Sequence, residues 1–171
     1  MSLIKNISAY LLSKKERPKT VKQFFSWNQL TKVLIVCYDN QLSDIVDFIN
    51  SCKTDNIYVY VAVIFNGKQE QAPKPYFEHC ILDKKQFSFF NIPNENTIQK
   101  LNTNSFDLLI NLGNNDQMQS LALSKLVSAK CKISNFQNSI FDMTIDKTNS
   151  MNIANYLKQV IVYLNMIKST S

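Results

Sequence analysis

A chain of 171 residues, 45% hydrophobic and 19% charged, has the size and composition of one domain with a buried core, which excludes a disordered chain. No apolar run reaches the roughly 20 residues of a spanning helix, and the start lacks the basic, apolar and small-residue succession of a signal peptide, so the cytoplasm is the expected compartment. The net charge of +6 is uneven: residues 1–22 carry Lys5, Lys14, Lys15, Arg17, Lys19 and Lys22 against Glu16 alone, a balance of +5 that leaves +1 for everything after them.

Ser2 is placed to cap a first helix in which Leu3, Ile4, Ile7 and Leu11 recur at helical spacing, with Tyr10 and Leu12 widening the stripe. Lys14, Lys15, Glu16 and Arg17 close it, where cations suit a helix C-terminus, and Pro18 stops it. Either this helix docks on the core with a solvated basic end, or its stripe is shared between the core and an acidic partner: a protein, RNA or a membrane surface. Phe24, Phe25 and Trp27 mark a short helical or irregular segment. Residues 31–38 (TKVLIVCY) and 56–65 (NIYVYVAVIF) read as strands buried on both faces. Between them Asp39 and Asn40 turn the chain into a helix carrying Leu42, Ile45, Val46 and Ile49 on one side. That strand–helix–strand unit predicts parallel pairing with a right-handed crossover.

Residues 66–76, with Gly67, Pro73 and Pro75, form an expected loop before a short strand at 77–83. The heptad 84–90 (KKQFSFF) interleaves lysines with phenylalanines, a pattern that stacks single-stranded nucleic acid. Core-packing phenylalanines beside a solvated lysine pair are the simpler reading. Pro93 and residues 94–97 start a short helix or turn through Leu101. Then come a strand at 106–112 (FDLLINL), a turn at 113–116, a helix with Met118, Leu121, Ala122, Leu126 and Val127 inward, and a strand at 131–134. A further short strand is expected at 141–145. A last helix, capped by Asn149 or Ser150, carries Ile153, Leu157, Val160, Ile161, Leu164 and Ile167.

The chemistry these residues permit is narrow. Two glycines, Gly67 and Gly113, are too few for a phosphate-cradling GxGxxG or P-loop. The single histidine, His79, sits beside Cys80 in a strand, where neighbours point to opposite faces, so the two do not form a nucleophilic pair. No GxSxG elbow is present. Cys37, Cys52, Cys80 and Cys131 lie far apart without a CxxC, which speaks against zinc and disulfides. Asp39 and Asp116 lie at strand ends and read as helix caps. Asp107 and Asp142 begin strands, at the edge away from the usual ligand site. The turn after FDLLINL is the one place suited to a ligand, through Asn111, Gly113, Asn114 and Asn115, although Asp116 would repel a phosphate there.

Taken together, QFSFFNIPN, FDLLINL, LALSKLVSAKCKIS, FDMTID and YLKQVIVYLN resemble an uncharacterised Bacteroidetes family, known as a domain of unknown function, from end to end. The resemblance places Ser124 or Ser128, Ala129 and Lys132 at the family's serine–alanine–lysine positions. Lys132-Ile133-Ser134 replaces its K-V-G. The unit from FDLLINL to KIS is also similar to the N-terminal half of heptosyltransferase-type glycosyltransferases, which bind nucleotide sugar on a second domain that this chain has no room for.

The expectation is therefore an α/β chain: a three-layer Rossmann-like domain over residues 31–171, preceded by a basic helical arm at 1–30. Its mostly parallel sheet of five or six strands has helices on both faces and the order 3-2-1-4-5. The expected role is a non-catalytic interaction module of bacterial cytoplasm whose arm, through Lys5, Lys14, Lys15, Arg17, Lys19 and Lys22, engages an acidic macromolecule. The alternative is a small-molecule or nucleotide-sugar binding domain using Asn111, Gly113, Asn114 and Asn115. No cofactor or metal is expected, and apolar surface on the first or last helix is compatible with a homodimer.

Overall fold

In Lys32–Tyr38 (β1) and Tyr58–Ile64 (β2), runs of β-branched and aliphatic side chains leave no polar face, so both strands need cover on each side. A computed structural model, describing residues 3–67, 73–148 and 150–167, places them side by side at the centre of a sheet completed by His79–Leu82 (β3), Phe106–Asn111 (β4), Ala129–Ser134 (β5) and Met143–Thr144 (β6). All five pairings are parallel, in the order β3-β2-β1-β4-β5-β6. This is the doubly wound order, with its switch point between β1 and β4. The expected order holds, with a sixth strand added beyond β5.

The alternation along β1 and β4 sorts the core into two layers. Val33, Ile35, Cys37, Leu108 and Ile110 pack under Val46–Thr54 (α2) and Ile153–Met166 (α5) through Phe48, Cys52, Tyr156, Leu157 and Val160. Leu34, Val36 and Leu109 face Glu95–Asn102 (α3) and Met118–Leu126 (α4) through Leu101 and Leu123. Helix α1, Leu3–Lys14, lies outside α4, where Leu12 is buried with Leu121 and Ala122.

From α1 the chain crosses to the opposite layer as a strap. Thr20 Oγ1 meets Ser128 Oγ at 3.0 Å and the Gln23 amide donates to the Lys130 carbonyl at the start of β5. Phe25 lies under the Lys130 ammonium, 5.2 Å from the ring centroid. Trp27, in a single 3-10 turn (Trp27–Gln29), packs edge-on against Phe48 and donates from Nε1 to Asp55 Oδ2 at 2.6 Å. Phe25, Trp27 and Leu30 all belong to the buried cluster beneath α2 and α5.

Several local expectations need correction. The segment after β1 begins as a 3-10 helix, Asp39–Ile45, before α2. Its start is tied by Gln41, whose Oε1 accepts from the Tyr38 amide at 2.8 Å, so Asp39 is no cap. Asp116 is none either: it precedes α4 and pairs with Lys5 at 3.6 Å. The last helix is capped by Asn152, whose Oδ1 accepts from the Asn155 amide, not by Ser150; Asn149 and Ser2 lie outside the described residues. In 84–90 only Phe87 joins the core, while Phe89 is exposed. Among the described residues, no helix is long and apolar enough to cross a membrane.

Candidate functional site

Two places carry the polar chemistry: the C-terminal edge of the sheet, and the path of the N-terminal arm. At the edge, Asn111 ends β4 fully buried and its Oδ1 accepts from the Gly113 amide at 3.0 Å. The Asn114 amide donates to Gln117 Oε1 at 2.6 Å. Two amides that would have faced a ligand are thus taken by the chain's own side chains. Gly113 has no positive φ; it is glycine because a Cβ there would run into the Ser120 side chain. Gly113→Ala is therefore expected to cost about 1–3 kcal/mol through overpacking, with a second change, Ser120→Gly, restoring part of it; urea denaturation of the single and double variants measures both.

The switch point itself is bridged. Gln41 reaches from the end of β1 and donates from Nε2 to the Leu112 carbonyl at 3.0 Å, while the Leu112 amide donates to Val36 O at 2.9 Å. The carboxamide thus links the two strand ends that flank the crevice where this topology otherwise receives a ligand. Asn115 points elsewhere, accepting from Asn138 Nδ2.

The six cations of the arm fall into two groups. Arg17 forms a fork on Asp142, with Nη1 and Nη2 at 3.2 and 2.8 Å from Oδ1 and Oδ2, and Lys22 Nζ lies 2.9 Å from Oδ1. The Asp142 side chain is only 2% exposed and also accepts from the Lys132 amide. Burial alone would raise its carboxyl pKa, but the Arg17 and Lys22 hydrogen bonds outweigh burial and hold it below the usual carboxylate range. Lys5, Lys14, Lys15 and Lys19 are exposed. Lys5 shares a solvated pair with Asp116, and Lys14 lies over the Tyr10 ring at 5.3 Å. Lys14 stands in the last turn of α1, and Lys125 adds a second cation there, donating to Leu12 O at 2.7 Å.

Two further groups escaped sequence reasoning. Asp107, in β4, accepts from the Thr31 amide and hydroxyl, the Lys32 amide and the Lys130 ammonium. Burial pushes its pKa up, yet these four donors keep it lowered. Lys132, 1% exposed, donates from Nζ to the carbonyls of Ser124, Lys125 and Val127 at 2.6, 3.2 and 2.7 Å, and so caps the C-terminus of α4 from beneath. Burial and then the Arg17 charge push its ammonium down to about 7, against the pull of Asp142. The three carbonyls at the negative end of the helix favour its charged form. Two forward signals pointed to Lys132: its place in the serine–alanine–lysine stretch, and a lysine inside a strand otherwise made for burial.

Thiol and metal chemistry find little footing. Burial raises Cys37, Cys52 and Cys131 to about 12 and Cys80 to about 11, so none offers a thiolate near neutral pH. His79 Nδ1 lies 2.6 Å from Phe77 O and its ring packs edge-on against Phe77, whereas Cys80 joins the opposite layer. Among the described residues, no cluster of three or more His, Cys, Asp or Glu is arranged to hold a metal ion.

The motifs that carry most of the sequence resemblance now have places. FDLLINL is the fully buried β4, and LALSKLVSAKCKIS is α4, its Lys132 cap and β5. Residues 2–167 match the family of unknown function DUF6913. The chain belongs to that family. No curated protein matches it. Within DUF6913 this chain is a six-stranded parallel α/β member whose N-terminal arm is pinned to its own β5–β6 connection through Asp142.

Proposed function

We propose that the chain is a non-catalytic interaction module that docks an acidic face of a partner protein on the outer side of α1. The observation that carries this reading is which side of α1 is left uncovered. At 3.6 residues per turn, Leu3, Ile4, Ile7 and Leu11 span an arc of roughly 100°. Yet the buried positions are Ser8 and Leu12, whose direction lies roughly 110° away from the centre of that arc. Leu3 is 74%, Tyr10 61% and Ile4 40% exposed. An apolar stripe bordered by exposed lysines suits an amphipathic segment bearing carboxylates.

Lys14, Lys15 and Lys19 supply the complementary charge, whereas Lys5 shares the α4 side of the helix with Ser8 and Leu12 and pairs with Asp116, and Arg17 and Lys22 hold the strap through Asp142. RNA would gain nothing from the leucine and isoleucine. The nucleotide-sugar reading draws less support, because Gln41 links the strand ends at the switch point and the Gly113 and Asn114 amides are taken by Asn111 and Gln117.

Changing Lys14, Lys15 and Lys19 together to Gln leaves every buried contact of the strap intact. Such a variant is expected to keep its thermal midpoint and to capture its protein partner at least about tenfold more weakly, with most of the salt sensitivity gone. Ile4→Ser in place of the lysine changes should weaken capture without altering the salt dependence. Unchanged capture by both variants would overturn the reading. So would capture that nuclease abolishes, or that anionic vesicles reproduce alone.

A further inference from the structure

Between the C-terminal ends of β4 and β5 and the β6–α5 connection lies a cavity of about 250 Å³ lined by Asn114, Asn115, Asn135, Phe136, Lys147 and Thr148. At about 30 Å³ per water this is room for roughly eight waters, or one compact solute. We propose that this cavity binds a small free hydroxylated anion, a polyol carrying one phosphate or carboxylate group. The inference stands apart from the docking reading, since no residue of α1 lines the cavity.

Three features converge. Asn135 Oδ1 is shielded from solvent and has no hydrogen-bond partner among the described residues. A buried acceptor left empty is unfavourable, and a small turn of the Asn135 carboxamide toward the cavity would let an O–H or N–H donor of a solute satisfy it. Lys147 is half-buried, and among the described residues no carboxylate lies within ion-pairing distance of it. Its ammonium calls for an anion in the same space. The remaining wall is carboxamide and hydroxyl, with one aromatic ring in Phe136, which suits a short carbon chain bearing hydroxyls better than an apolar ligand. The cavity also sits on the edge of the sheet where open α/β folds gather ligands, one strand beyond the switch point that Gln41 bridges.

A single molecule that carries both a donor and an anionic group satisfies both residues at once and fills the space better than either part alone. Inorganic phosphate alone would satisfy Lys147 but fill little of the space. A neutral polyol would satisfy Asn135 and leave the ammonium bare. Glycerol 3-phosphate and glycerate are the matching probes, with inorganic phosphate and glycerol as the half-matching ones.

The experiment is a titration of the full-length, isotope-labelled protein followed by backbone amide shifts. Glycerol 3-phosphate or glycerate is expected to move the amides of Asn114, Asn115, Asn135, Phe136 and Thr148 saturably, with inorganic phosphate and glycerol each binding about tenfold more weakly or less well still. Lys147→Gln should weaken the anionic probe about tenfold and leave glycerol unchanged. Asn135→Asp, which faces the anion with a like charge, should abolish saturation. Both variants lie at the surface end of the fold, and their thermal midpoints confirm that the protein is native. No saturable shift at tens of millimolar, shifts that sodium chloride reproduces, or a Lys147→Gln protein that binds as well as the parent would each overturn the proposal. Binding to phosphatidylglycerol vesicles without binding of the free probes would overturn it too, by assigning the chemistry to a lipid headgroup.

Discussion

A chain that starts at Thr31 is expected not to reach the native fold. It lacks Leu12, Phe25, Trp27 and Leu30, each at most 7% exposed. At about 1.5–3 kcal/mol for each large apolar side chain, their burial stabilises the molecule by roughly 6–12 kcal/mol. That is the size of a typical domain's entire stability, about 5–15 kcal/mol. The deletion also strips Arg17 and Lys22 from Asp142, leaving a buried carboxylate with the Lys132 amide as its one remaining hydrogen-bond donor. Far-UV and near-UV circular dichroism of the shortened chain, beside the full one, test this. A shortened protein that keeps its near-UV signal and unfolds cooperatively would make residues 1–30 a detachable arm. For the docking proposal the consequence is practical: single-residue changes on the outer face of α1 probe binding, whereas deletion probes folding.

Asp142→Asn is expected to cost about 3 kcal/mol near neutral pH. The amide keeps an acceptor for the Lys132 backbone, but turns an NH2 group toward Arg17 and Lys22, which are themselves donors only. Acid should expose the same interaction in the parent protein. The Asp142 carboxyl has a lower pKa folded than unfolded, so below its ordinary range the unfolded chain binds more protons than the folded one. Its contribution is then complete above the usual carboxylate pKa of about 4 and is lost as pH falls through that value toward the folded one. Asp107 behaves alike and persists in both proteins. The urea midpoint of the parent should thus fall more steeply below about pH 4 than that of Asp142→Asn. Parallel curves would show that the fork on Asp142 contributes nothing to stability.

The sheet was legible because its strands leave no ambiguity of period. KVLIVCY and FDLLINL are too apolar for an exposed face, and the helices between them are long enough for parallel crossovers. Asp39–Ile45 was harder, since Leu42 and Ile45 satisfy helical spacing while Gln41, tied to Tyr38 and Leu112, tightens the turn to 3-10. In α1 the helix was evident but its orientation was not. Ser8 is buried because its hydroxyl donates to the Ile4 carbonyl and presents little polarity to α4, which no periodicity of hydrophobic residues announces. Gly113 invited a ligand reading, and its reason is a neighbour seven residues on, Ser120. The charge imbalance of residues 1–22 was visible. That two of its cations answer to an aspartate 125 and 120 residues away was not, because ion pairing leaves no trace in local composition.

That long separation also bears on how the molecule is made. The strap is synthesised near the start, but the carboxylate that fastens it lies just before the last short strand. At about 5–20 residues per second, roughly 6–25 s pass between the emergence of Arg17 and that of Asp142. During that interval Phe25 and Trp27 have neither α5 nor a pinned strap to hold them, and their apolar surface goes without its native cover. Closing the strap is then a late, high-contact-order step, so residues 17–27 lock in place only once Asp142 and α5 have been made.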